Sequence, residues 1–180
     1  MSKLVEKKIS SQTVYKGNFL DVKKDNVVLP NGKNSTREWI NHPGAVVIVP
    51  ILPNGKIALI RQFRYAMGSE FIELPAGKID KGETPDECAI RELEEEIGFK
   101  TKNLNFIAMI HPAIGFANEN MSLYLATDLV QTNINRDSDE FLELMPTSLE
   151  HALDLVWSNK ITDVKTVSYT HLTLPTTSMV

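Results

Sequence analysis

The chain has 180 residues, of which 42% are hydrophobic and 23% charged, and its formal net charge is −4 at pH 7. That size and composition suit one soluble globular domain with a sizeable core and a small appended subdomain. The acidic balance argues against a nucleic-acid or anionic-membrane footprint, one cysteine (Cys88) excludes an internal disulfide, and no run of ~18 apolar residues offers a membrane span.

The first 20 residues carry charges throughout and lack an apolar signal core, so the sequence reads as a cytoplasmic protein. Residues 1–12 are polar and read as frayed or edge-paired. The stretch Thr13 to Val22 carries Val14, Tyr15, Phe19, Leu20 and Val22, broken by Gly17. Asp25 to Leu29 follows, then a Pro30-Asn31-Gly32-Lys33 turn, then Thr36 to Ile40. Asn-Gly between extended runs is a strong hairpin signal. Residues 1–42 are therefore expected to form an antiparallel β subdomain of about three strands, too weakly apolar to stand without a partner.

His42-Pro43-Gly44 marks a boundary. Ala45 to Leu52 is a near-continuous apolar run, the mark of a buried strand. Pro53-Asn54-Gly55 is expected to make a hairpin turn, with Lys56 to Tyr65 returning. Arg64, at the end of that return, is a candidate phosphate or substrate contact. Phe71 to Ala76 leads into the most informative stretch, Gly77 to Phe99.

Six glutamates, at 83, 87, 92, 94, 95 and 96, sit there among helix signals. Thr84 suits the N-cap, Pro85 the first helical position, and Glu87 completes a capping box. Asp86 and Glu87 complement the positive end of the helix dipole, and Gly98 suits the C-terminal stop. The expected span is Pro85 to Ile97. At about 100° per residue, Ala89, Ile90, Leu93 and Ile97 share a core-facing side. Glu92, Glu95 and Glu96 share a neighbouring stripe, and Arg91 can pair with Glu95 four residues on. Two such charges ~4 Å apart repel by about 4 kcal/mol at an effective dielectric near 20. A divalent cation removes that repulsion, and hard oxygen ligands suit Mg²⁺ or Mn²⁺. A merely solvated acidic face is the competing reading of the composition. Cys88 reads as a small packing residue inside the helix.

Asn105 to Met109 reads as a strand, and His111 to Glu119 as a mobile loop. Ser122 to Leu129 is a clear strand, and Phe141 to Leu144 is short and extended. Ser148 caps a second helix, Leu149 to about Asn159, with Leu149, Ala152, Leu153, Val156 and Trp157 on its apolar face. Trp157 is expected in the core and His151 on the surface. Asp163 to Val167 starts a third helix. The pattern then fails in 168–180, a Thr-rich tail read as disordered or as sequence not native to the chain.

From Gly77, five residues precede Glu83 and seven more precede Arg91-Glu92-Leu93-Glu94-Glu95-Glu96-Ile97-Gly98-Phe99. This resembles the Nudix box at every defined position. The resemblance implies a Nudix hydrolase over 43–167. It implies an α+β fold, an α/β/α sandwich with a mixed central sheet, carrying the small N-terminal antiparallel β subdomain. It also implies cleavage, with Mg²⁺ (or Mn²⁺), of a nucleoside diphosphate linked to another group.

Leu74-Pro75-Ala76-Gly77-Lys78, Arg37-Glu38, Gln62-Phe63-Arg64 and Gly115-Phe116-Ala117-Asn118-Glu119 look like the ADP-ribose pyrophosphatase branch. The loop departs from that branch, in which a Ser commonly precedes the Pro and Gly-Phe follows it directly. This chain reads His111-Pro112-Ala113-Ile114-Gly115-Phe116.

The branch implies an intertwined homodimer through the N-terminal strands, a small-molecule substrate, and no nucleic-acid or membrane partner. Residue by residue, it implies Glu92, Glu96 and the Ala76 carbonyl as metal ligands. Glu95 would complete the carboxylate cluster and Glu83 would support it. Arg91 would orient the glutamates, and Glu119 would be the general base or last ligand. Arg64 would meet a phosphate, with Arg37 and Phe19 on the adenine side. The implied reaction splits ADP-ribose into AMP and ribose 5-phosphate. The alternatives are another nucleoside diphosphate derivative (nucleotide sugar, dinucleoside polyphosphate or NADH) and a non-catalytic ligand-sensing domain.

Overall fold

The computed structural model describes residues 3–133 and 141–172. It divides into two units, one of residues 1–44 with 111–120, the other of 45–110 with 121–180. Residues 111–120, read as part of the 43–167 stretch, group with the N-terminal strands, and the first division lies after Gly44.

The first unit is an antiparallel sheet of β1 (Lys7–Lys16), β2 (Asp21–Val28) and β3 (Asn34–Ile40), in that order. The expected run from Thr13 to Val22 is split between two strands. Gly17 opens the turn that joins them, its N–H donating to the Leu20 carbonyl at 2.8 Å. Of the polar residues before Thr13, those from Lys7 on are edge-paired against β2, with one register shift between Lys8 and Ser10. The second turn forms as expected around Asn31-Gly32, with the Gly32 N–H donating to Leu29 O. Every residue of β1 is exposed. Asp21, at the start of β2, is buried and takes ion pairs from Lys16 at 3.1 Å and Lys23 at 2.9 Å.

The second unit is built on two sheets. In one, β4 (Ala45–Pro50) runs parallel to β9 (Met121–Gln131), with β7 (Ala76–Lys78) and β8 (Phe99–Ile110) outside them, in the order β7-β4-β9-β8. The other is antiparallel, β5 (Ile57–Arg64) lying between β6 (Ser69–Glu73) and β10 (Leu142–Thr147). Among the described residues, three α-helices lie against them: α1 (Pro85–Ile97), α2 (Leu149–Trp157) and α3 (Val164–Leu172).

The continuous apolar run of β4 has a direct cause. Val46 and Ile48 pack with Ala89, Leu93 and Ile97 of α1, while Val47 and Val49 pack with Ala152, Ile161 and Tyr169 on the α2–α3 side. A strand covered on both faces cannot alternate with polar residues. The expected α/β/α sandwich with a mixed sheet is the architecture found.

Four local expectations are corrected. Pro53-Asn54-Gly55 does turn the chain, but β4 and β5 enter different sheets and meet only at one isolated bridge, Ile51 to Ile57. In α1, Cys88 is fully buried while Ile90 is 42% exposed, so the core face is rotated toward Cys88. Trp157 is 64% exposed at the last residue of α2, although Leu155 and Val156 before it pack against the core. Ser168 to Leu172 continue α3, with Ser168 Oγ donating back to the Val164 carbonyl at 2.8 Å. The Thr-rich residues 173–180 lie outside the described residues.

Helix α1 takes the expected bounds. Thr84 Oγ1 accepts from the Glu87 N–H, and the Glu87 carboxylate accepts from the Thr84 N–H at 2.8 Å. Gly98 ends the helix at φ 71°, a left-handed conformation that favours glycine, and its N–H donates to Glu94 O. Burying Leu93 completely contributes about 1.5–3 kcal/mol toward fixing this helix on the sheet.

The lysines around Asp21 give the first unit an acid limit. The Lys23 and Lys16 ammonium groups hold the Asp21 carboxyl down from 3.8 to about 2. A depressed carboxyl stabilises the folded state above 3.8 and loses that contribution as pH falls through about 2. Amide hydrogen exchange of Asp21–Val28 is expected to quicken across that window, and Asp21→Asn is expected to remove the added pH dependence. Equal pH dependence in both proteins would assign the acid limit elsewhere.

Candidate functional site

Helix α1 presents Glu92 and Glu96 one turn apart, and both are buried, at 7% and 4% exposure. Carboxylates at these depths are rare and need compensation. Glu96 Oε2 accepts from the Ala76 N–H at 3.2 Å, which ties the helix to β7. Glu92 lies against Gly77 of the same strand. A Cβ on Gly77 would stand 1.7 Å from Glu92 Oε1 and 1.9 Å from its carboxyl carbon. No side chain fits there while Glu92 keeps this position, so the glycine at the head of the box leaves Glu92 its place.

Arg91 gathers the remaining carboxylates. Its Nε and Nη2 donate to the two oxygens of Glu83 at 2.8 and 3.1 Å. Its Nη1 donates to Glu92 Oε1 at 2.8 Å and Glu95 Oε2 at 2.7 Å, and Nη2 reaches the Lys78 carbonyl at 3.1 Å. The guanidinium holds the Glu83 carboxyl at about 2. Glu83 in turn, followed by Glu95 and Glu92, raises Arg91 beyond its ordinary value. One cation thus serves three carboxylates. Cys88 lies under this fork with its thiol pushed up to about 12, chiefly by burial, which leaves it inert.

Among the described residues, no three His, Cys, Asp or Glu side chains stand ready-grouped around a metal position. Arg91 occupies the space between Glu92 and Glu95. The donor chemistry still fits a hard divalent cation, since two buried carboxylates on one stripe face the strand bearing Ala76. The expected residues Ala76, Glu83, Arg91, Glu92, Glu95 and Glu96 are thus brought together within the second unit.

Arg64 also lies in the second unit, where its guanidinium grips Glu73 with Nε at 2.7 Å and Nη2 at 2.6 Å. The sequence reading missed Glu73 and its other partner, Lys165, which is 5% exposed. The available signal was a lone acidic residue between apolar neighbours in Phe71-Ile72-Glu73-Leu74.

Arg37, Phe19 and Glu119 belong to the first unit. Arg37 pairs with Glu6, and Phe19 packs edge-on against His42 with ring centroids 6.1 Å apart. The loop carrying Glu119 is stitched to β3 and the residues after it, contrary to the expectation of a mobile segment. Ile40 N–H donates to Phe116 O, Asn118 N–H to Ile40 O, and His42 N–H to Asn118 Oδ1. His42 Nδ1 accepts from the Gly44 N–H, so the ring proton sits on Nε2, 3.8 Å from Glu119 Oε1.

Residues 41–165 match the model of the NUDIX domain, and residues 6–40 that of the nucleoside diphosphate sugar hydrolase N-terminal domain. An ADP-ribose pyrophosphatase of Bacillus subtilis (strain 168) is 42% identical over 168 residues, which cover 92% of this chain and 91% of that protein. A methanol dehydrogenase activator of Bacillus methanolicus is 38% identical over 93% of this chain and 92% of its own length. The crystal structure of an ADP compounds hydrolase superposes with a TM-score of 0.85 at 28% identity, over 96% of this chain and 94% of that one.

The contact at Gly77 gives a direct test of the carboxylate site. Gly77→Ala is expected to push Glu92 aside and to weaken Mn²⁺ binding about tenfold or more, read by calorimetry, with helix content unchanged by circular dichroism. Unchanged affinity would detach Glu92 from any cation.

Proposed function

The chain belongs to the Nudix family, and on that footing we propose that it hydrolyses the pyrophosphate of ADP-ribose to AMP and ribose 5-phosphate with Mg²⁺. The observation that carries this reading is the buried Glu92–Glu96 pair on α1, with Glu92 held by Arg91 and laid against Gly77 and Glu96 tied to the Ala76 N–H. Enzymes of this family generally use a divalent metal. The choice of ADP-ribose is supported by the similarity to an ADP-ribose pyrophosphatase, which runs through the N-terminal strands as well as the box.

In this proposal Glu92, Glu96 and the Ala76 carbonyl hold the Mg²⁺, with Glu95 and Glu83 supporting the cluster. Bound Mg²⁺ would offset pyrophosphate charge and acidify an attacking water. Arg91 keeps the glutamates in place and spends its own charge on them. Arg64 binds a phosphate oxygen, while Arg37 and Phe19 face the adenine side. Glu119 is the candidate base, its Oε1 taking the water's proton, with the His42 Nε2–H beside it. Exposed Leu4, Val5, Ile9, Val14 and Tyr15 on and before β1 support a homodimer through the N-terminal strands. The protein is taken to work in the cytoplasm. Among the described residues no helix is long and apolar enough to cross a membrane.

A second reading, hydrolysis of a nucleotide sugar, is favoured by the match of residues 6–40. A panel of ADP-ribose, nucleotide sugars, a dinucleoside polyphosphate and NADH, with released nucleotide measured, separates the two. ADP-ribose is expected to have the highest kcat/KM, and a preference for another member would overturn the substrate assignment. Glu96→Gln is expected to lower kcat by about three orders of magnitude or more while substrate still binds, which would also exclude a sensing domain. An unchanged rate would remove Glu96 from the metal site.

A further inference from the structure

A second charged cluster lies behind β7, and none of the box residues belongs to it. Glu73, the last residue of β6, is 2% exposed. One edge of its carboxylate takes the Arg64 fork described above, and the Lys165 ammonium donates to Oε2. Lys165 also pairs with Asp163 Oδ1 at 3.0 Å. Thr166 Oγ1 donates to Asp163 Oδ2 at 2.7 Å and accepts from the Leu74 N–H at 2.9 Å. The first turn of α3 and the residue before it therefore grip two consecutive residues, Glu73 and Leu74. Two residues further on, Ala76 donates to Glu96.

Burying an acid and an ammonium costs several kcal/mol per ion, and an apolar pair of the same volume is often as stable. Stability alone is thus a weak reason for this arrangement. What it does is fix a guanidinium. The bidentate contact sets the plane of Arg64, using two of its five N–H donors. The Arg64 side chain is 44% exposed, so its opposite edge faces outward with three donors remaining. Glu96 of the box is close enough to attract this charge.

We propose that Glu73, clamped by Lys165, is a positioning residue. It holds the Arg64 guanidinium in one orientation, so that its outward N–H groups meet the diphosphate of a nucleoside diphosphate ligand beside Glu96. This rests on the reading above that Arg64 contacts the substrate phosphate. The competing role is a staple between α3 and β6 with no bearing on the ligand.

A double-mutant cycle on the full chain separates the two. Steady-state kcat and KM for ADP-ribose, and the calorimetric Kd for ADP with Mg²⁺, are measured for Glu73→Gln, Arg64→Ala and the double variant. Glu73→Gln is expected to raise KM and Kd about tenfold and leave kcat within about threefold, and to add less than about twofold once Arg64 is gone. The same loss with and without Arg64 would overturn the proposal and leave the staple. Glu73→Gln leaves the cluster of Arg64, Lys165 and Asp163 with a net positive charge, so a version combined with Lys165→Met keeps the cluster neutral. It is expected to show the same rise in KM, and a stable protein with wild-type KM overturns the proposal even if the single variant does not fold. If the wild type prefers another nucleoside diphosphate derivative, the ADP-ribose assignment falls. The cycle on ADP binding still decides the role of Glu73.

Discussion

Everything around the site follows from one constraint, the need to hold two carboxylates, Glu92 and Glu96, nearly excluded from water. Neither the helix nor the sheet can do this alone. Helix α1 contributes register, because i and i+4 positions stack on one face, and its caps fix where that register begins. The sheet contributes β7, whose Ala76 N–H meets Glu96 and whose Gly77 leaves room for Glu92. Arg91 contributes the compensating charge. The core face of α1, with Cys88, Ala89, Leu93 and Ile97 buried, presses these parts together. The affinity of apolar side chains for β4 is thus converted into the placement of two carboxylates.

The short connection from β6 to β7 is the other half of that placement. Three residues in a row are held from different directions. Glu73 is taken by Arg64 and Lys165, Leu74 N–H by Thr166, and the Pro75 carbonyl accepts from the Ile48 N–H of β4 at 2.9 Å. Pro75 lacks an N–H and has a fixed φ, which removes one further freedom. A segment bound this way cannot shift without moving Ala76, and with it Glu96. The α2–α3 layer reaches the site through this segment, although neither helix carries a box residue.

How much of this could be read from the sequence depended on the range over which each signal acts. Thr84, Pro85, Glu87 and Gly98 act within a turn or two, so α1 was legible to the residue. The single error on its surface, Ile90 on the core face, came from periodicity, which ranks directions but does not know how wide a face the sheet will cover. Pro53-Asn54-Gly55 announced a turn correctly. Whether the flanking strands then pair depends on β9 and β10 claiming β4 and β5 for different sheets, which no local residue records. Trp157 reads as core because it continues the apolar face of α2, but it is the last residue of that helix and stands exposed. Glu73 and Lys165 lie 92 positions apart, and their pairing is visible only once α3 is folded against β6.

Two arginines show where chemical identity runs out and geometry takes over. Arg64 and Arg91 both face acids, and the sequence separates them only by place, a strand end for Arg64 and the acidic stripe of α1 for Arg91. Counting donors separates them. Arg91 directs Nε, both N–H groups of Nη1 and those of Nη2 to Glu83, Glu92, Glu95, the Lys78 carbonyl and the Cys88 sulfur. With five N–H groups, it has none left for a ligand. Its substitution must act through the carboxylates it holds. Arg64 gives two donors to one buried acid and is left with three on a half-exposed edge. A guanidinium in that state is already desolvated on one side and oriented, so binding a phosphate oxygen costs it little further rotamer entropy. The same residue type is thus an internal counterion at one position, and at the other it keeps three N–H donors on a half-exposed edge. The difference lies in the acid that each one faces: Glu73 takes one edge of Arg64, whereas the box surrounds Arg91 on all sides.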